Sequence, residues 1–462
     1  MRLCGADLFS SIGLNVNPKI IESLAAILFG VLLVVPSSVQ AQLVYTVNAD
    51  NTITITGYTG AGGDVIIPTT INEMPVTSIG EYAFENSELI GVAIPYGVVS
   101  IGQSAFQFCS SLESVSIPGS VTSIGESAFS ECSSLASVTI GNGVTNIGDY
   151  AFNLCTSLAK VTIPGSVSNV GASAFFDCQG LNSVTISNGV TSIGELAFDN
   201  CSGLSSIIIP NGVTNIGVGA FQFCGGLASA TIAGTVTSVG GSAFMNCYVL
   251  KSVTISNGVA SIGNSAFNGD ALTSITIPSS VTNLGLLAFA NCSRLTSVTN
   301  DNGVTSVGNS VFVGCPIRSV TLPKSVTNIG NAAFEACAAL TSLFFAGNPP
   351  TVGSKAFLVD SNITVYYLPG TTGWGATFAS FPTVLWNPLI QTGDGSFGLH
   401  DNKFGFNVTG TTNIPFVVQA CTNLGSPSWV PIQSFTLSSG MVYFSDSQWM
   451  TYPDRFYRIS SP

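Results

Sequence analysis

Charge is the scarcest property of this chain. Only 7% of its 462 residues are Asp, Glu, Lys or Arg, against about 25% in an average globular protein. The 11 basic residues are scattered, and the net charge is −12. Nucleic-acid binding needs clustered Lys and Arg, so that class of partner is excluded. A single histidine, His400, lies in the polar turn DGSFGLHDN. With one histidine there is no general base to set beside a nucleophile in any repeated unit. Acidic residues are few and mostly single, so the paired carboxylates of a glycosidase are not expected either. Asp394, Asp401 and Asn402 do not follow the spacing of a calcium loop. No Cys-x-x-Cys cluster with histidine partners suggests zinc. The expectation is therefore a non-enzyme with no catalytic residues, no metal site and no cofactor.

Long apolar runs are also missing beyond the N-terminus. No later run approaches the roughly 20 residues of a membrane-spanning helix, so no span is expected in the mature chain. The N-terminus itself reads as an export signal. Arg2 and Lys19 precede an apolar stretch from Leu24 to Val35, broken by Pro36, and Val39-Gln40-Ala41 has small residues where a signal peptidase cuts. Residues 1–41 are thus a signal peptide, with an uncleaved anchor as the alternative. The chain is expected to be secreted or held at the surface of a bacterium.

What is abundant is repetition. A phrase of glycine, two variable residues, a small residue and phenylalanine recurs thirteen times. Its Phe column runs Phe84, Phe106, Phe129, Phe152, Phe175, Phe198, Phe221, Phe244, Phe267, Phe289, Phe312, Phe334 and Phe357, in steps of 22 or 23 residues. A fixed period of this length marks a solenoid, in which each unit packs only on its neighbours. In the unit Leu112–Cys132, Val115 and Ile117 alternate with Ser114 and Ser116, the period of a strand with one wet face. Pro118-Gly119-Ser120 turns the chain, and Val121 and Ile124 mark a second short strand. Gly125 ends it, and Glu126 to Cys132 is expected to form one or two turns of helix. Glu81, Glu126, Asp149 and Glu195, each just after that glycine, would then sit at the positive end of a helix. Stacked strands would advance about 4.8 Å per coil.

Ten cysteines fall three residues after the column Phe, among them Cys132, Cys155, Cys178, Cys201 and Cys224. Ser87, Asp270 and Asp360 take that place in three coils. Even spacing favours a ladder of reduced, buried side chains alongside the stacked Phe129, Phe152, Phe175, Phe198 and Phe221. Disulfides between neighbouring coils stay open as an alternative, since the rung spacing lies within their Cα range. The two residues after each column Phe vary most. They include Phe108, Leu154, Phe176, Phe223 and Met245, which are either a partner-binding strip or packing between turns.

The unit SIGxxAFxxCxxLxSVTIPxxVTxIG, quoted from SIGESAFSECSSLASVTIGNGVTNIG (123–148) and SIGELAFDNCSGLSSIIIPNGVTNIG (192–217), resembles the BspA-type leucine-rich repeat of bacterial and protist surface proteins. The resemblance covers about residues 79–357. It implies a one-sided sheet solenoid used for adhesion or protein contacts, with no catalytic residues to transfer. The fold class expected is a mainly β leucine-rich-repeat solenoid of 13 coils, followed by a small β-sandwich-like domain. Its parts are an N-terminal β cap (42–78), the solenoid with its end cap (79–386) and the small domain (387–462). That last piece, with VVQACTNLGSPSWVPI and RFYRISSP, resembles a short C-terminal β-domain of exported proteins from Verrucomicrobia-like bacteria. Trp429, Trp449, Phe456 and Tyr457 are either its core or a sugar platform. The expected partner is a protein or cell-surface component. The alternatives are a structural matrix role with no ligand, and glycan binding through the C-terminal domain.

Overall fold

The computed structural model describes residues 42–358 and 362–461. The signal-peptide assignment and Asp360 lie outside the described residues. Among those described, no helix is long and apolar enough to cross a membrane.

Each coil contributes two strands. The longer one, such as Ser114–Ile117, pairs parallel and in register with Ser137–Ile140 of the next coil. The shorter one, such as Ser123–Ile124, pairs with Asn146–Ile147. Twelve strands from Leu43–Val47 to Asn283–Leu284 form one continuous run, while the longer strands fall into sections along the other face. Register holds because a slip of one residue would turn every Val and Ile outward.

The start of the chain is more regular than a cap. Ile53–Tyr58 pairs parallel with Met74–Ile79, and Gly63–Ile66 with Leu89–Ala93, so these two strands make one further coil. Leu43–Val47 closes it as an antiparallel partner.

The expected helix does not form. Residues 126–132 are a series of tight turns. Ser127 and Glu131 are left-handed, at φ 54° and 60°, which a right-handed helix cannot accommodate. Alternation of hand points every other N–H at the next coil. Ser127 N donates to Asp149 O, Phe129 N to Ala151 O and Glu131 N to Asn153 O, all at 2.7–2.8 Å. The turn edge is thus a third inter-coil ladder. The acid after the glycine has a different task from the one expected: Asp149 Oδ1 accepts from the Ala172 N–H of the next coil at 2.7 Å. Asn264 and Asn309 do the same one coil further on from Leu286 and Asn331.

Beyond the coils, Lys403–Thr409 pairs antiparallel with Met441–Asp446, and Pro415–Cys421 pairs with Val430–Thr436 and Phe456–Ser460. These two small sheets enclose Phe406, Val408, Phe416, Val418 and Phe444. Phe344 and Tyr366 of the last coils belong to the same cluster. They occupy the outward strand position that holds Thr299 and Thr321 in earlier coils, so the wet face turns aromatic where the C-terminal strands cover it.

Candidate functional site: the turn edge and the buried ladders

The Phe column stacks as rings. Phe152, Phe175 and Phe198 have centroids 5.2 and 5.1 Å apart with planes within 6° of parallel. Coil spacing imposes this face-to-face offset arrangement on every pair from Phe84 to Phe357. Tyr58 covers one end of the column at 5.4 Å, and Phe381 meets Phe357 edge-on at the other.

The cysteine column lies beside it. All eleven described cysteines are free and buried. Their sulfurs are donors as well as apolar filler. Cys132 Sγ donates to Phe106 O, Cys155 to Phe129 O and Cys178 to Phe152 O, each at 3.2 Å across one coil. Burial pushes the Cys178 thiol up to about 12, and burial raises Cys155 and Cys201 too. Cys109 moves down because it is hydrogen-bonded to Cys132. In Asp270, burial raises the carboxyl pKa strongly; Oδ1 accepts from Cys247 N at 2.9 Å and Oδ2 has no partner.

Thiol labelling checks this arrangement. A raised pKa leaves no thiolate to react. Native protein should therefore bind almost no thiol reagent, while protein unfolded without reductant should label at most column positions. Mass spectra with Cys132–Cys155 links and one or two reactive thiols in denaturant would overturn the reduced ladder.

A second hydroxyl ladder had no signal beyond the repeated Val-Thr. Thr145 Oγ1 donates to Thr122 O and Thr191 Oγ1 to Ser168 O, at 2.9 and 2.8 Å. These threonines tie coil to coil.

The variable residues divide by position. Phe108, Leu154 and Phe223 lie two after the column Phe, with Glu131, Asp177 and Asn200 in the same row. All six are left-handed, with φ between 56° and 61°. Phe108 and Leu154 are half-buried and Phe223 is exposed. Phe108, Glu131 and Leu154 line a shallow depression of about 430 Å³ with Ser110, Ser133 and Thr156. Phe176 and Met245 lie one residue earlier and are half-buried, in the row that also contains the buried Asp199. Burial raises the Asp199 carboxyl to about 6.

The C-terminal aromatics do not gather into one platform. Tyr457 stacks on Phe404 at 5.2 Å and its hydroxyl donates to Asp446, which also pairs with Arg455 at 2.6 Å. Trp449 Nε1 donates to Asn402 O. Trp429 lies elsewhere, under the Arg458 guanidinium at 4.5 Å. Asp394 accepts from Ser396 and from Asn407 Nδ2, a local bracing of its loop. His400 sits exposed at the end of a hairpin strand.

A parallel solenoid with two strands per coil, a column Phe in thirteen coils and a column Cys in ten defines a class of repeat protein. The BspA type leucine rich repeat region matches over residues 66–182, 168–295 and 261–373, and the chain belongs to that family. A leucine rich cell surface protein from Faecalibacterium prausnitzii is 30% identical; the match covers 71% of this chain and 93% of that one, with a TM-score of 0.44. A leucine-rich repeat protein from Bacteroides ovatus is 24% identical, over 71% of this chain and 94% of that one, with a TM-score of 0.51. The leucine rich repeat protein of T. pallidum is 26% identical over 55% and 88%, with a TM-score of 0.34. No curated protein matches the chain by sequence.

Proposed function

We propose that this chain is an exported, non-catalytic adhesion protein whose turn edge meets a protein or cell-surface partner through Phe108, Leu154 and Phe223. The observation that carries the reading is conformational. A bulky L-residue in the left-handed region costs on the order of 1–2 kcal/mol, and the same row uses Asn at Asn200 and Asn246, which tolerate it better. Phe and Leu therefore sit where local stability favours Asn, and the side chains are not fully buried in return. Such a strained position points to a contact made outside the fold. Phe176 and Met245 would support the strip from the neighbouring row. Export through residues 1–41 and the cell surface protein of Faecalibacterium prausnitzii fit the same reading. Residues 387–462 are assigned to a separate accessory unit that rests on Phe344 and Tyr366.

The triple variant Phe108→Asn, Leu154→Asn and Phe223→Asn tests it. Thermal stability should stay within about 1 kcal/mol of the parent or rise, because Asn relieves the backbone. Binding of labelled protein to the source cells should be lost. A fall of several kcal/mol with binding retained would make these side chains packing residues and sink the reading.

A further inference from the structure

We infer that the cleft between the strand face of the last coils and the C-terminal strands binds a neutral oligosaccharide. The cleft has a volume of about 820 Å³, within the roughly 300–1,000 Å³ of small-molecule sites, which favour such junctions. One wall comes from the solenoid, with Thr321, Tyr367 and Trp386; the other comes from Gln419, Trp429 and Arg458.

The chemistry of this lining is selective. Aromatic rings alternate with hydroxyls and one amide, and Arg458 is the single charged residue among the lining groups. A pyranose offers the complement: an apolar face of C–H groups for an aromatic ring and a rim of hydroxyls that both donate and accept. A purely apolar ligand would displace water from lining hydroxyls such as those of Tyr367 and Ser434 without replacing its hydrogen bonds, which costs free energy. A polyanion would find one cation in a chain of net charge −12. The solenoid wall presents the faces of strands such as Ser319–Leu322 and Ser342–Phe345, whose backbones pair on both sides. It therefore has no open edge to which a peptide strand could add.

The polar groups are held in place before any ligand arrives. Arg458 Nε donates to Gln419 Oε1 at 2.7 Å while its guanidinium stacks on Trp429. These two contacts hold the Arg458 side chain in place, so little side-chain entropy is lost on binding. A second observation points the same way. The Ser460 hydroxyl lines the cleft, is buried, and has no hydrogen-bond partner. Buried polar groups are normally satisfied, so this hydroxyl leaves unmet polar demand in the wall of the cleft.

Isothermal titration calorimetry on the full chain tests the assignment. The probes are cellohexaose, xylohexaose, mannohexaose and N-acetylchitohexaose, with trigalacturonate and a tryptic casein digest as competing chemistries. At least one neutral hexaose should bind saturably at a single site. Trp429→Ala and Arg458→Gln should each weaken it about ten-fold or more, the scale for an aromatic or arginine anchor. Phe223→Ala, on the turn edge, should leave it unchanged, which separates this site from the adhesion reading. Both cleft residues are at the surface; if Trp429→Ala lowers the melting temperature, Arg458→Gln and Gln419→Ala decide. The inference is overturned if no neutral hexaose binds at millimolar concentration, if only trigalacturonate or casein peptides bind, or if binding ignores the cleft substitutions.

Discussion

Gly171→Ala is expected to destabilise the solenoid by about 4 kcal/mol or more, in the range reserved for severe backbone conflicts. A Cβ on Gly171 would lie 2.5 Å from the backbone C and O of Gly148 and 2.6 Å from Asp149 N. These are main-chain atoms and cannot rotate away. Relief would require the coils to separate, yet Gly171 N donates to Ile147 O at 3.0 Å across that gap, and Gly194 N to Val170 O at 2.9 Å ties the same coil to the next one. The same conflict recurs at Gly125 and Gly217, so glycine here permits backbone to stack on backbone. Gly119→Ala is the control. Its Cβ would meet nothing nearer than Gly143 N at 3.8 Å, and its effect should stay within about 1 kcal/mol. Urea unfolding followed by circular dichroism would measure both. Equal effects at the two glycines would refute the close-stacked column.

Phe175→Ala should cost about 3–5 kcal/mol, the usual loss for emptying a buried aromatic site. Phe175 is fully buried and lies between two parallel rings, so its removal leaves a gap that neither neighbour can fill without leaving its own stack. Phe357→Ala should cost less. That ring retains 8% exposure and meets Phe381 edge-on, and a terminal coil can open without unravelling the array. The same urea series reads both variants. Small and equal losses would mean that the Phe column does not hold the coils together.

Much of this architecture is legible in one dimension because a solenoid repeats its contacts at a fixed sequence interval. The column Phe recurs in thirteen coils and an alternation like that of Val115 and Ile117 in most of them, so a local pattern is also a packing pattern. The cysteine column is legible for the same reason, although its S–H bonds to Phe106 O and Phe129 O leave no mark in residue order. The turn edge reads as helix in the sequence and folds as tight turns. Residues 126–132 contain good helix formers, and the left-handed hand of Ser127 and Glu131 follows from bonds to the next coil rather than from local preference. The first coil was hidden within an apparent cap because Ile53–Ile66 has no column Phe.

Periodicity and composition alone determined the coil, its period and its buried columns. Each of those depends on residue type repeated in register. Only the tertiary structure decided which variable residues reach solvent: Phe108 and Phe223 share a row and a chemistry, yet Phe108 is half-buried and Phe223 is exposed. It alone brought Trp429 and Arg458 opposite Thr321 and Tyr367. Those residues belong to a non-repeating region and to the last coils, and their meeting depends on how Phe344 and Tyr366 are covered, a contact between distant segments for which no sequence interval exists.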